Sequence, residues 1–219
     1  MLLHGYLSSK EAFSAQIRYF SKFYKVTAID FLGFGGSMAL TSPFSVDDYA
    51  DWTKEVLARL GVEKPHVIAH SFGCRVAVKL ASQDGGFFDK MLLTGAAGII
   101  LKRGISYKIK VKIYRFVRRF APRFAEKKFG SAEYKTLSPV MKESYKKIVN
   151  EDLRECARRI ENEVLLVQGQ EDTTTPKKEA EVYLSCLKKG KLRMMQGGHF
   201  AFAEDPVSFN LIAEEFFYE

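Results

Sequence analysis

The chain has 219 residues, 47% hydrophobic and 27% charged, with a net charge of +8. That is a globular composition, long enough for one substantial core with an insertion or for two small domains. No run approaches the ~18 consecutive apolar residues of a membrane span. Met1-Leu2-Leu3-His4-Gly5 puts no basic region before a long apolar one, so no signal peptide is expected. Cys74, Cys156 and Cys186 are few, unclustered and odd in number. They fit reduced thiols of a cytoplasmic protein better than a disulfide frame or a zinc site.

In chain order, Met1 to Leu3 reads as the end of a buried strand, followed by the loop His4-Gly5-Tyr6. From Ser9 to about Lys22, Phe13, Ile17 and Phe20 recur at helical spacing. Tyr24 to Ile29 is a second apolar strand, closed by the glycine-rich loop Asp30-Phe31-Leu32-Gly33-Phe34-Gly35-Gly36-Ser37. Met38 occupies the third glycine position of a dinucleotide fingerprint, so that loop is read as a tight post-strand turn. Ser45 starts a helix with acid in its first turn, an apolar stripe through Tyr49, Trp52, Val56 and Leu60, and a stop at Gly61. A strand over Pro65–His70 then runs into Ser71, a helix to about Gln83, and a strand over Met91–Gly95.

Short apolar strands alternate with helices and show no period of two, which is the behaviour of a parallel sheet covered on both faces. The alternation breaks between Ile99 and Ile160, a helix-patterned segment interrupted by Pro122 and Pro139. It resumes with the strand Val164–Val167, a helix from about Pro176 to Leu187, a strand over Lys191–Met195, the loop Gln196-Gly197-Gly198-His199 and a helix from about Pro206. The interrupting segment holds 18 Lys/Arg and 6 Asp/Glu, a balance of +12, against −4 for the remainder. The expected organisation is an α/β core of residues 1–98 and 161–219 with an inserted helical cap over 99–160.

Chemistry concentrates at Val67-Ile68-Ala69-His70-Ser71-Phe72-Gly73. An apolar strand stops at a serine and a helix pattern starts directly after it, with small residues two positions to either side. That is a sharp strand–nucleophile–helix turn of the G-x-S-x-G type, Ala69 standing in for the first glycine. A serine nucleophile needs a histidine base, and the imidazole needs a carboxylate. In an open parallel sheet these should lie after strand ends. His199 does. His66 lies at a strand start, His70 is expected to point away from Ser71, and His4 belongs to a loop-shaping His-Gly pair. Asp172 follows the strand Val164–Val167, with Glu171 beside it as the alternative; Asp30 follows an earlier strand.

Taken together, Leu2-Leu3-His4-Gly5-Tyr6, the Asp30–Ser37 loop, the turn around Ser71, Gly169-Gln170-Glu171-Asp172 with Pro176, and Gly198-His199-Phe200 resemble the α/β-hydrolase superfamily in content and in order. The resemblance implies Ser71 as nucleophile, Asp172 as acid and His199 as base. It implies an oxyanion hole from the backbone N–H groups of Tyr6 and Phe72, and neither metal nor cofactor. It also implies a β-hairpin of about two strands ahead of the His-Gly loop, which this sequence lacks. The strand Tyr24–Ile29 should therefore form a sheet edge that invites self-association or another cover.

The expected activity is hydrolysis of a carboxylic ester or related acyl substrate. The alternatives are a carbon–carbon bond hydrolase or lyase on the same fold, or a non-catalytic binding protein that keeps it. In the insertion, Ile105, Ile109, Ile113, Phe116 and Phe120 share one helical face, and Lys108, Lys112, Arg115 and Arg119 another. Three readings of that basic face stay open: a solvated back of the lid, attraction of an anionic substrate, or contact with an acidic membrane surface. Nucleic acid is not expected as a partner, since no binding motif accompanies the charge.

Overall fold

A computed structural model of the protein describes residues 1–101, 134 and 136–218. Its strands are β1 (Leu2–Leu3), β2 (Ala28–Ile29), β3 (Val67–His70), β4 (Lys90–Thr94), β5 (Glu163–Gly169) and β6 (Gly190–Met195). They form one sheet in the order β2-β1-β3-β4-β5-β6, and every pairing is parallel. The chain winds outward from β1 to β2, then returns past β1 to lay down β3 and the rest. The winding direction therefore reverses between β1 and β3, and the crevice beyond their carboxyl ends is where such sheets bind ligands.

The central strands are apolar on both faces because both faces are covered. Leu3, Val67, Ala69, Met91, Leu93, Val164 and Leu166 pack on one side, against α2 (Val46–Arg59), α3 (Phe72–Gln83), α5 (Arg154–Arg159) and α6 (Lys177–Cys186). Leu2, Ile68, Leu92, Leu165 and Val167 pack on the other. There they meet Phe13 of a 3-10 turn (Lys10–Phe13), Phe20 of α1 (Ser14–Phe20), Phe202 of α7 (Ala201–Glu204), and Phe209, Ala213 and Phe216 of α8 (Pro206–Tyr218). The strand period of two is present in space but hidden in the sequence, since either direction from the sheet is hydrophobic.

Local signals account for several boundaries. Ser45 caps α2 in a reciprocal box: its Oγ accepts from Asp48 N at 3.2 Å while the Asp48 carboxylate accepts from Ser45 N at 2.6 Å. Pro139 does not break a helix but opens α4 (Pro139–Val149) in its first turn, where its missing N–H costs nothing, behind the Ser138 cap. Leu153, Ala157 and Ile160 of the α5 region are fully buried against the core. The apolar stripe Ile105–Phe120 and the basic residues Lys108, Lys112, Arg115 and Arg119 lie outside the described residues.

Three expectations are corrected. The strand expected over Tyr24–Ile29 does form the sheet edge, but only Ala28 and Ile29 pair, because β1 offers them just two partners. The helix expected from Ser9 begins as a 3-10 turn. The buried face of α2 is Val46, Tyr49, Ala50, Thr53 and Leu57, while Leu60 is exposed and Trp52 and Val56 are half-buried. The reason is tertiary: α2 packs against α3, and that contact, not apolarity alone, selects which positions are buried.

Asp30 organises the loop after β2. Its carboxylate accepts from Lys10 N and Lys10 Nζ, both at 2.7 Å, and from Gly36 N at 2.9 Å. Burial alone would raise its pKa, but those hydrogen bonds and the Lys10 charge outweigh it and hold the group at about 2, from 3.8. A carboxylate whose folded value is depressed adds stability above its unfolded value and loses it as pH falls through the folded one. Stability of the wild type should therefore drop between about pH 4 and pH 2. Asp30→Asn should be less stable at pH 7 by about 1–3 kcal/mol, with a shallower acid limb, as read by urea melts across pH.

Candidate active site

Ser71 sits between β3 and α3 with φ 51° and ψ −107°, a left-handed conformation that a residue with a Cβ rarely adopts. Its N–H donates to Thr94 O at 3.1 Å, tying the turn to β4. The turn is possible only because Gly73 has no side chain. A Cβ there would lie 2.3 Å from Leu3 O, 2.7 Å from Leu3 C and 2.8 Å from His4 O, all backbone atoms of the strand alongside. Sequence reasoning names this glycine from its motif position; the structure supplies the obstacle.

Ser71, Asp172 and His199 converge. Ser71 Oγ stands 3.0 Å from His199 Nε2, and His199 Nδ1 stands 2.9 Å from Asp172 Oδ2. An ionised Asp172 can only accept, so Nδ1 carries the ring proton and Nε2 is left to accept from the Ser71 hydroxyl. Asp172 is buried, and five donors surround it. Thr174 N and Thr175 N reach Oδ1 at 2.8 and 2.9 Å, and Thr175 Oγ1, Gln168 Nε2 and the His199 ring reach Oδ2. Burial pushes its pKa up, but the bonds from His199 and Thr175 and the His199 charge win and hold it well below the usual carboxylate range. Glu171, the alternative acid, is exposed, and Asp30 is occupied by Lys10.

The loops that carry these groups are cross-braced. Gln170 N and Glu171 N donate to Met195 O and Gly197 O at 2.9 and 3.0 Å, and Gly198 N donates to the Glu204 carboxylate at 2.7 Å. His70 makes no hydrogen bond to Ser71, although both line the cleft. It is buried among the rings of His199, Phe200 and Phe202, and its Nε2 donates to His199 O at 2.9 Å, so it anchors the backbone of the neighbouring histidine. Burial first, and then proximity to His199, pushes its pKa down to about 3, so it stays neutral. His4 accepts from Phe31 N at 3.1 Å through Nε2, which leaves Nδ1–H to donate to Gly5 O at 2.7 Å. It thereby joins the loop after β1 to the loop after β2. His66 stacks on Phe217, remote from this cluster.

Tyr6 and Phe72 line a cleft of about 700 Å³ with Ser71 and His199; Leu137 and Tyr145 form part of its far wall. Phe72 is the first residue of α3, so its N–H has no acceptor within the helix. Sequence reasoning missed the cradle of Asp172. Its signal was the run Thr173-Thr174-Thr175, since an aspartate followed by threonines favours a side-chain-capped turn. Nothing local marked Gln168, a polar residue at the end of an apolar strand. Among the described residues, no group of three or more His, Cys, Asp or Glu is placed to hold a metal ion. No described helix is long and apolar enough to cross a membrane.

A parallel sheet with a serine on a strained strand-to-helix turn, and an acid and a histidine after later strands, defines the α/β-hydrolase class. The chain belongs to that family: residues 1–133, more than half of it, match the model of the alpha/beta hydrolase fold. Over 99% of its length it is 22% identical to an uncharacterized protein of Mycobacterium tuberculosis, of which it covers 74%. Its fold is similar to that of an esterase from Exiguobacterium antarcticum, with a TM-score of 0.79, 21% identity, and coverage of 100% of this chain and 91% of the esterase. It is also similar to a meta-cleavage product hydrolase from Pseudomonas fluorescens, with a TM-score of 0.74, 22% identity, and coverage of 99% and 89%. At those identities the likeness speaks for the fold.

Gly73→Ala should destabilise the protein by about 1–3 kcal/mol or more, because only backbone could yield. Gly85→Ala, whose Cβ would find its nearest neighbour at 3.8 Å, is the control and should stay within about 0.5 kcal/mol of wild type. Denaturant midpoints of the two variants measure the difference.

Proposed function

We propose that the protein is a serine hydrolase that cleaves a carboxylic ester or related acyl substrate through an acyl-enzyme. The observation that carries this reading is the unbroken chain Ser71 Oγ–His199–Asp172, at 3.0 and 2.9 Å, with the serine on a strained turn that opens to the cleft. His199 Nε2 takes the Ser71 proton as Oγ attacks the carbonyl carbon, and Asp172 balances the imidazolium charge. The tetrahedral oxygen is held by the N–H groups of Tyr6 and Phe72, donors aligned before charge develops. His199 returns the proton to the leaving alcohol, then activates a water that releases the acid. Five donors around Asp172 keep it ionised through the cycle, so the proton stays on the imidazole. No metal or cofactor enters this scheme. The family's esterases and carbon–carbon hydrolases share the fold; the nucleophile arrangement here favours the acyl route as the simplest use of these groups.

A fluorophosphonate probe should label the wild type at Ser71 and leave Ser71→Ala unlabelled. Ser71→Ala should also lose at least about 10³-fold in turnover of short p-nitrophenyl esters, with its melting temperature retained. Turnover that survives the substitution would remove the mechanism; neither labelling nor turnover in the wild type would favour a silent scaffold.

A further inference from the structure

Arg75 stands four residues after Ser71 on α3, about 6 Å along the helix axis, and lines the same cleft. It is 8% exposed. Its Nη1 donates to Ile148 O at 2.9 Å and Glu151 O at 2.8 Å, where α4 ends. Those bonds clamp the end of a helix, a task for a donor. They do not account for a full positive charge brought out of water.

Among the described residues, no carboxylate lies within ion-pair distance of Arg75. The Glu151 carboxylate is taken by Lys79, which also pairs with Asp47. Burial works against the cation, and the fields of Tyr183, Glu151 and Glu179 offset it only in part. A guanidinium has five N–H donors in a planar fork. Nε and Nη2 make no hydrogen bond to the described residues, and the residue lines the cleft. Two parallel donors on a desolvated cation match a carboxylate.

We propose that Arg75 is a specificity-determining residue, and that the preferred substrate is an ester whose acyl part carries a carboxylate. This rests on the hydrolase reading above. The nucleophile caps the helix that carries Arg75, and both line the same cleft, so one bound molecule can meet both. In the reaction the ester C–O bond breaks, a water oxygen bonds to the carbonyl carbon, and one proton is released: monomethyl glutarate and water give glutarate, methanol and H⁺.

The test uses the purified full chain in a pH-stat with monomethyl glutarate and methyl valerate, which share an acyl chain length and differ in the terminal carboxylate. The wild type should prefer the charged ester in kcat/KM by about ten- to hundred-fold. The ratio of charged to neutral rates should fall at least about ten-fold in Arg75→Gln, mostly through KM, and recover in part in Arg75→Lys, which keeps the charge without the fork. Equal rates for the two esters in the wild type, or an unaltered ratio in a folded Arg75→Gln, would overturn the proposal.

If Arg75→Gln fails to fold, because it also loses the clamp on α4, the wild type alone decides. Glutarate should then inhibit methyl valerate hydrolysis competitively at least about ten-fold more strongly than glutaramide, and equal inhibition would overturn the proposal. If neither ester turns over and the fluorophosphonate leaves Ser71 unlabelled, the hydrolase reading fails separately. Calorimetric titration with glutarate then still reads Arg75: binding that is weakened in Arg75→Lys and lost in Arg75→Gln supports the carboxylate site, and no binding to the wild type removes it.

Discussion

The structure depends on how closely β3 and α3 approach each other at Ser71. The serine holds φ 51° because everything around it is already committed. β3 is paired on both sides, by β1 and by β4, and cannot shift in register. Ser71 N is held by Thr94 O, and Cys74 Sγ packs back on Ala69 O at 3.1 Å. Gly73 rests against the backbone of Leu3 and His4 with no room for a methyl group. Strain at a residue persists when its surroundings over-determine it, and here a six-stranded sheet and a core of fully buried aromatic and aliphatic side chains do so. The exposed hydroxyl is the consequence of that packing.

A second constraint is electrostatic. In and beside the cleft stand two carboxylates, Asp172 and Glu179, two imidazoles and a guanidinium, where burial makes unpaired polar groups expensive. The arrangement sorts them by partner. Asp172 receives five donors and is kept ionised. His70, beside His199 and buried, is kept neutral and spends its one N–H on the His199 carbonyl. His199 is thus held from two directions, by its ring through Asp172 and by its backbone through His70. Arg75 is the group in this set that makes no ion pair with a described carboxylate, although Glu151 and Glu179 lie near enough to ease its burial in part.

Much of the fold was legible because its signals are local. Apolar runs of four to seven residues ending in glycine or polar loops marked β3, β4 and β5. Ser45 with Asp48 marked the start of α2, and Gly61 its end. The alternation of strand and helix pointed to a parallel sheet, and Ser71 between an apolar run and a helix marked the turn. Where local reading slipped, a neighbour was responsible. β2 is two residues long because β1 is. The 3-10 turn at Lys10 is bent by the bonds from Lys10 to Asp30, a partner twenty residues away. α2 buries Ala50 and Thr53 in preference to Trp52, and it is α3 that packs against this helix.

The sequence by itself determined the order of elements, the serine turn, and a short set of polar residues placed after strand ends, since each follows from propensity, spacing and side-chain chemistry within a few residues. Tertiary structure decided which of those residues meet. That Asp172 and not Glu171 reaches His199, that Gln168 turns inward to the acid, and that His70 holds a carbonyl 129 residues away are facts about pairs of distant segments. The same holds for Arg75, which reads as one more helix charge until the end of α4 and the wall of the cleft close around it. A buried charge becomes meaningful only when its surroundings are known, because burial, and not residue type, sets what leaving it unpaired costs.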